Sequence, residues 1–283
     1  MSHVPLAQLA DAAKVLAEAG VASPRHDAES LAAHVLGVSR SRLLTVDAQR
    51  FDEVRDQFDA AVTRRAAREP LQHVVGTAPF RYLELAVGPG VLIPRPETEL
   101  LIDAALTWLR EAGVHAPRVA DLGTGSGAIA LAMAGECPGA QVWAVEREAA
   151  ALQWAARNIA STGFAVELVA GDMADALAEL DGTLDLVVSN PPYLPLEVRD
   201  QLEPEVRDHD PGAALFAGVD ALAAVRLVEA AARRLLRSGG LVIVEHGDDQ
   251  GLTAPACFAA GWSHVTDHLD LAGRPRYLTA VLT

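Results

Sequence analysis

The chain has 283 residues, of which 51% are hydrophobic, 22% charged and 5% aromatic, and its net charge is −15. That is length enough for two domains at roughly 100–200 residues each, with too much apolar content for a disordered tail. Several classes are excluded. No stretch reaches the ~18 uninterrupted apolar residues of a membrane span, and Cys137 and Cys257 are too few for a disulfide framework or a zinc site. An acidic chain also does not bind nucleic acid by neutralising many phosphates.

The opening residues show no basic stretch followed by an apolar one, so no secretory leader is expected and a reducing, cytoplasmic home follows. The charge is uneven. Ten Lys and Arg face eleven Asp and Glu in residues 1–85, against 13 and 27 in the rest.

Residues 1–70 read as short helices. Leu6, Leu9, Ala13 and Leu16 recur at helical spacing, and Gly20 stops the run. A second helix opens at Ser23-Pro24, carries Ala28, Leu31, Ala32, Val35 and Leu36, and closes at Gly37. A third runs from Phe51 to about Arg68 with Phe51, Val54, Phe58, Ala61 and Val62 on one face. The expectation is a small helical bundle, read first as a partner-docking domain and second as a packing or dimerisation appendage.

Pro70 ends the helices. From Leu71 to Ile93 short alternating strands broken by Gly76, Pro79, Gly88-Pro89-Gly90 and Pro94 predict a linking β-hairpin, residues 71–94. A helix follows from about Pro96 to Glu111. From Arg118 the rhythm becomes β-α-β, with strands at 118–122, 141–145, 165–170, 184–188 and 241–244. Between them lie helices at 128–134, 148–160, about 218–236 and near 249–260, with a helical turn near 174–179 and closing strands near 263–268 and 276–282. Strands alternating with helices predict a mostly parallel, doubly wound sheet over residues 95–283.

The chemistry gathers at strand ends. Asp121-Leu122-Gly123-Thr124-Gly125-Ser126-Gly127 joins a strand to a helix, where glycines let the backbone approach a ligand and the helix N-terminus offers free N–H groups. The spacing is GxGxG and not the dinucleotide GxGxxG, and by itself it is weak. About twenty residues on, Glu146 ends the next strand, placed to accept ribose hydroxyls. Asp172 and Met173 end the third. Three successive strand ends carrying Asp121, Glu146 and Asp172 around one glycine turn suggest a ligand site at the carboxyl edge of the sheet.

The fourth strand ends in Ser189-Asn190-Pro191-Pro192-Tyr193. Two prolines fix φ, so the Asn190 side-chain oxygen and the Pro191 carbonyl are held as acceptors for the two N–H groups of a planar amine, with Tyr193 as an aromatic wall. A nucleobase amine and a carboxamide both suit such a clamp, and this motif alone does not separate adenine-N6 enzymes from glutamine enzymes. The segment Leu194–Phe216, rich in Glu, Pro and Asp, reads equally as a mobile cover whose acidity suits an Arg-bearing protein substrate and as a solvated loop.

The glycine turn, Glu146, Gly171-Asp172-Met173 and the Asn-Pro-Pro-Tyr segment occur in the order of a class I S-adenosylmethionine-dependent methyltransferase. Pro70–Gly76, Val91–Glu99, Glu203-Pro204, Ala213–Leu215, Asp220–Leu222, Ser238–Gly240, Gln250 and Asp270–Gly273 extend the likeness, so that the chain resembles the PrmC/HemK family from residue 70 onward. The resemblance implies an α/β fold: a Rossmann-like seven-stranded sheet with its last strand antiparallel, a small N-terminal helical bundle and a linking hairpin. It implies methyl transfer to the N5 amide of the GGQ-loop glutamine of class 1 peptide chain release factors.

By position, Gly123, Thr124, Gly125, Ser126 and Gly127 would wrap the methionine end of S-adenosylmethionine, Glu146 the ribose, and Asp172 and Met173 the adenine. Asn190, Pro191, Pro192 and Tyr193 would hold the glutamine, with Asn190 also near the cofactor and no metal involved. The family further implies a cytoplasmic monomer with no nucleic-acid or membrane partner. Three positions depart from it: Glu146 is more usually Asp, Met173 is often aromatic, and His246 is usually apolar.

Overall fold

The computed structural model describes residues 6–218 and 220–283. They divide into two compact units, one comprising the residues up to Thr77 with Leu202–His209, the other Ala78–Gln201 with Asp210–Thr283.

The first unit is helical: α1 (Leu6–Glu18), α2 (Pro24–Leu36), a 3₁₀ turn at Arg40–Thr45, α3 (Ala48–Glu53), α4 (Arg55–Ala66) and α5 (Leu71–Val75). Leu16, Ala28, Leu31, Phe51 and Phe58 fill its core; the Leu6 side chain lies outside the described ones. Gly37 closes α2 in the left-handed region at φ 62°, as its predicted stop position requires. The third predicted helix is in fact two, broken at Val54. A straight helix would separate Phe51 and Phe58 by about 10 Å along its axis, whereas the break brings their rings edge to face at 5.2 Å.

Leu71–Val75 corrects the reading of a strand there. Pro70 opens the segment, its carbonyl accepting from His73 and Val74 N–H at 3.0 and 3.1 Å, and Gly76 ends it at φ 81°, so the five residues close a helical turn. The segment Leu202–His209 also belongs to this unit. Glu205 there accepts from Arg68 (2.8 and 2.6 Å) and pairs with Arg65 (2.7 Å), which also pairs with Asp27 (2.8 Å). The acidity of this stretch therefore has partners within the chain itself.

A hairpin follows, β1 (Thr77–Phe80) and β2 (Leu83–Ala86), which apart from Thr77 belongs to the second unit, then α6 (Glu99–Glu111) behind a 3₁₀ turn at Pro96–Thr98. The strands and longer helices that follow are β3 (Arg118–Leu122), α7 (Ala128–Glu136), β4 (Gln141–Glu146), α8 (Ala149–Thr162), β5 (Val166–Ala170), β6 (Leu184–Ser189), α9 (Ala223–Leu235), β7 (Leu236–Glu245), β8 (Trp262–Leu269) and β9 (Pro275–Leu282). Among the described residues they form a seven-stranded sheet, β5-β4-β3-β6-β7-β9-β8. β3 to β7 pair in parallel, and β9, last in the chain, is antiparallel to both neighbours.

Alternation along the strands divides the core. Ala120, Leu122, Val187, Val242 and Val244 pack on α9, while Val119, Leu186, Val188 and Ile243 pack on α6 and α7. The helix expected near 249–260 is only a 3₁₀ turn at Pro255–Cys257, since Pro255 lacks the N–H that a continuous helix needs there. α9 begins at Ala223 and not at Gly218, and Val219 lies outside the described residues. Chain order along the sheet reverses between β3 and β6. In open α/β sheets such a switch point makes a crevice at the carboxyl ends of the strands.

Candidate active site

At the end of β3 the chain turns through Gly123, Gly125 and Gly127 at φ 76°, 57° and 85°. An L side chain in that region costs about 1–2 kcal/mol, so the turn requires glycine. Asp121 supports the turn from behind. It is fully buried, and its Oδ2 accepts from Thr124 Oγ1 (2.5 Å) and from the N–H of Ala130 in the first turn of α7 (3.1 Å), where negative charge suits the helix dipole. Burial pushes its carboxyl up to about 7.

Glu146, at the end of β4, holds the same turn from the front. Its Oε2 accepts from Gly125 N–H at 2.9 Å, and its Oε1 from Arg147 and Glu148 N–H at 2.8 and 2.9 Å. Asn158, wholly buried on α8, is a third support: its Oδ1 accepts from Ala86 N–H (2.8 Å) while its Nδ2 donates to the carbonyls of Ala86 (3.0 Å) and Ser126 (2.9 Å). Beyond β5, Asp172 accepts from Ala174 N–H (3.0 Å) and pairs with Arg147 (3.3 Å). These contacts, the Ala174 N–H first, hold its carboxyl below the usual range.

The Asn-Pro-Pro-Tyr segment is pinned at three points. Ser189 Oγ donates to the Leu122 carbonyl at 2.6 Å, tying β6 to β3 across the switch point. Gln250 Nε2 donates to the Tyr193 carbonyl at 3.2 Å. Asn190 Nδ2 donates to Thr98 Oγ1 at 3.1 Å, and that hydroxyl donates to Glu245 Oε2 at 2.7 Å. The Tyr193 hydroxyl faces Glu245 Oε1 at 3.4 Å. Glu245 ends β7 one step beyond the Ser189–Val244 pairing and is buried. Burial raises it to about 7 against the pull of Thr98 and Arg276, and burial followed by the Glu245 charge pushes the Tyr193 phenol above its usual range. His246 is buried beside it, with Nδ1 2.9 Å from the Gly247 carbonyl.

Part of this set lines one cavity of about 480 Å³, and the rest stands behind it. Its wall carries Gly123, Thr124, Gly125, Ser126, Glu146, Asp172, Met173, Asn190, Pro191 and Pro192, with apolar cover from Val91, Ile129, Ala151 and Leu227. Two expected residues are off that wall. Gly127 takes the left-handed position before α7, and Tyr193 turns its hydroxyl to Glu245. Thr98, which does line the cavity, and Glu245 were not singled out for a role from sequence.

A parallel sheet switching direction at a glycine turn, with acidic strand ends and an Asn-Pro-Pro edge on one cavity, defines a class I S-adenosylmethionine-dependent methyltransferase. Family models agree: residues 7–76 match the PrmC N-terminal domain and residues 98–202 the methyltransferase small domain. A solved structure of the Thermus thermophilus 16S rRNA N2 G1207 methyltransferase in complex with AdoMet and guanosine shares the fold at TM-score 0.52 and 23% identity, over 73% of this chain and 50% of that one. The release factor glutamine methyltransferase of Streptomyces coelicolor is 52% identical over 97% of both chains. A Streptomyces pristinaespiralis protein, 4-amino-L-phenylalanine/4-methylamino-L-phenylalanine methyltransferase, is 41% identical over 86% of this chain and 82% of its own. The chain belongs to the release factor glutamine methyltransferase family.

Proposed function

We propose that the protein transfers a methyl group from S-adenosylmethionine to the N5 amide of the GGQ-loop glutamine of class 1 peptide chain release factors, supporting translation termination. The observation that carries this reading is the placing of Asn190, Pro191 and Pro192 on the same cavity wall as the glycine turn and Glu146.

The residues fit the cofactor. A cavity of about 480 Å³ lies within the roughly 300–1,000 Å³ typical of small-molecule sites. Backbone at Gly123, Thr124, Gly125, Ser126 and Gly127 would hold the methionine end. Glu146 Oε1 already accepts two N–H groups, whereas Oε2 accepts one and keeps a lone pair for a ribose hydroxyl. Met173 would meet the adenine with a soft thioether, and Asp172 would flank it.

When bound, S-adenosylmethionine supplies a methyl group already activated by its sulfonium. The chain supplies position and electrostatics. A carboxamide nitrogen is a weak nucleophile because its lone pair is delocalised into the carbonyl. Asn190 Oδ1 and the Pro191 carbonyl would accept its two N–H groups and aim the nitrogen, and both bonds strengthen as positive charge develops there. The proton leaves after transfer, so no strong base is required.

In this reading residues 1–70 dock the release factor, 71–94 link, and 95–283 catalyse, in a cytoplasmic monomer with no nucleic-acid or membrane partner. Among the described residues no helix is long and apolar enough to cross a membrane. The test offers labelled S-adenosylmethionine with intact release factor, its GGQ Gln→Ala variant, duplex DNA and 4-amino-L-phenylalanine in parallel. Label on the intact factor alone supports the reading. Label on DNA or on the free aromatic amine overturns it.

A further inference from the structure

A carboxamide has two chemically opposite ends of nearly equal size. If Asn190 is to accept an N–H from the substrate, its oxygen and not its NH₂ must face the cavity, and something must choose. The choice is visible in the proton count of the contacts beneath it. Glu245, when ionised, only accepts. The single Thr98 proton is therefore drawn to Glu245 Oε2 at 2.7 Å, and the Thr98 oxygen is left to accept from Asn190 Nδ2 at 3.1 Å. Tyr193, at the far end of the same segment, presents its hydroxyl to Glu245 Oε1 at 3.4 Å. Thr98 and Glu245 are 5% and 1% exposed, so their contact with each other is largely shielded from bulk water even though Thr98 also borders the cavity.

We propose that Glu245 and Thr98 are positioning residues that set the donor direction of this chain, turning the Asn190 oxygen to the substrate amide. This rests on the reading of Asn190 as an acceptor for the substrate N–H. Glutamine at 245 keeps the shape yet can donate to Thr98. The Thr98 proton is then free to turn to the Asn190 oxygen, and the NH₂ of Asn190 faces the substrate NH₂, donor against donor.

Protonation of Glu245 on Oε2, the oxygen that Thr98 meets, has the same effect in the unaltered enzyme, and the raised pKa of the carboxyl brings that event to about pH 7. The groups facing it are Thr98 and Glu97 from the turn before α6, Tyr193 from beyond β6 and Arg276 from β9, while His246, the next residue, turns its ring to the Gly247 carbonyl and Asp267. Activity is carried by the ionised form, so kcat declines as pH falls through that value. Asp121 titrates in the same range behind the glycine turn, and comparison with E245Q separates the two.

The experiment uses the full chain with intact release factor and labelled S-adenosylmethionine, comparing wild type, E245Q, T98V and T98S. kcat is followed across pH 5.5–8.5, cofactor Kd is measured by calorimetry, and folding is checked by thermal melting. Expected are a kcat loss of roughly 10- to 100-fold in E245Q and T98V, an unchanged Kd, near wild-type kcat in T98S, and loss of the acid limb in E245Q. Wild-type kcat in E245Q, or T98S as poor as T98V, overturns the assignment. An acid limb missing from the wild type does so without any variant. A wild type that leaves the release factor unlabelled, while these variants fold, overturns the substrate reading and the assignment together.

Discussion

Asn158 holds the glycine turn with no exposure to solvent, and its replacement tests how that turn is kept in place. Asn158→Ala removes three hydrogen bonds of 2.8, 3.0 and 2.9 Å, stranding Ala86 N–H and the carbonyls of Ala86 and Ser126. At about 1 kcal/mol for each bond lost, and more where a buried group stays unpaired, the expected cost is about 3 kcal/mol. Asn158→Asp is nearly isosteric, yet it turns the NH₂ that faces two carbonyls into a third acceptor, so it should cost at least as much.

All four tryptophans, Trp108, Trp143, Trp154 and Trp262, lie in the second unit. Urea unfolding followed by tryptophan fluorescence therefore reports that unit, and the midpoint should fall with the slope unchanged. Cofactor Kd should weaken in both variants, because the Ser126 carbonyl loses its anchor. Wild-type stability in Asn158→Asp would show that the residue merely fills space and would refute the reasoning.

Other outcomes follow from the same geometry. Asn190→Ala should lower kcat by about 10²-fold or more in the release factor assay while cofactor Kd by calorimetry changes little, since the lost contact strengthens with charge on the substrate nitrogen. Gly125→Ala, at φ 57°, should cost about 1–2 kcal/mol of cofactor affinity through backbone strain; an unchanged Kd would mean that another conformation binds. In the helical unit, Arg68 and Arg65 outweigh burial and hold Glu205 at about 2, below its ordinary 4.5. The stabilisation is present above pH 4.5 and is lost as pH falls through 2. After allowance for solvent screening it is worth about 1–2 kcal/mol. Glu205→Gln should lower stability in urea at pH 7 by that amount and flatten its fall between pH 4.5 and 2.

The sequence carries most of the parallel sheet openly, because apolar strands of five or six residues punctuated by glycine and acidic ends leave few alternatives. The elements misread are those decided by a single local competition. Pro70 and Gly76 closed a helical turn around residues that alternate like a strand, Pro255 stopped a helix that periodicity favoured, and a break at Val54 that lets Phe51 meet Phe58 divided another.

At the candidate site, the glycine turn, Glu146, Asp172 and Asn190 were legible as strand-end chemistry, while Met173 came only with the family resemblance. Thr98 and Glu245 are 147 residues apart and meet only because β7 lies beside β6 and α6 packs on that sheet face, a proximity that a single chain does not reveal. One signal was there. Glu245 closes the otherwise apolar run Leu241–Val244 as Asp121 and Glu146 close theirs, and the strand-end rule applied once more would have singled it out.

The most direct measurement is mass-spectrometric mapping of release factor after incubation with the purified protein and S-adenosylmethionine. The account predicts the mass of one added methylene on the GGQ glutamine, localised to its side-chain nitrogen by fragmentation, and none on the Gln→Ala variant. A methyl group on any other residue, or an unmodified factor beside a methylated nucleobase or aromatic amine, would contradict it.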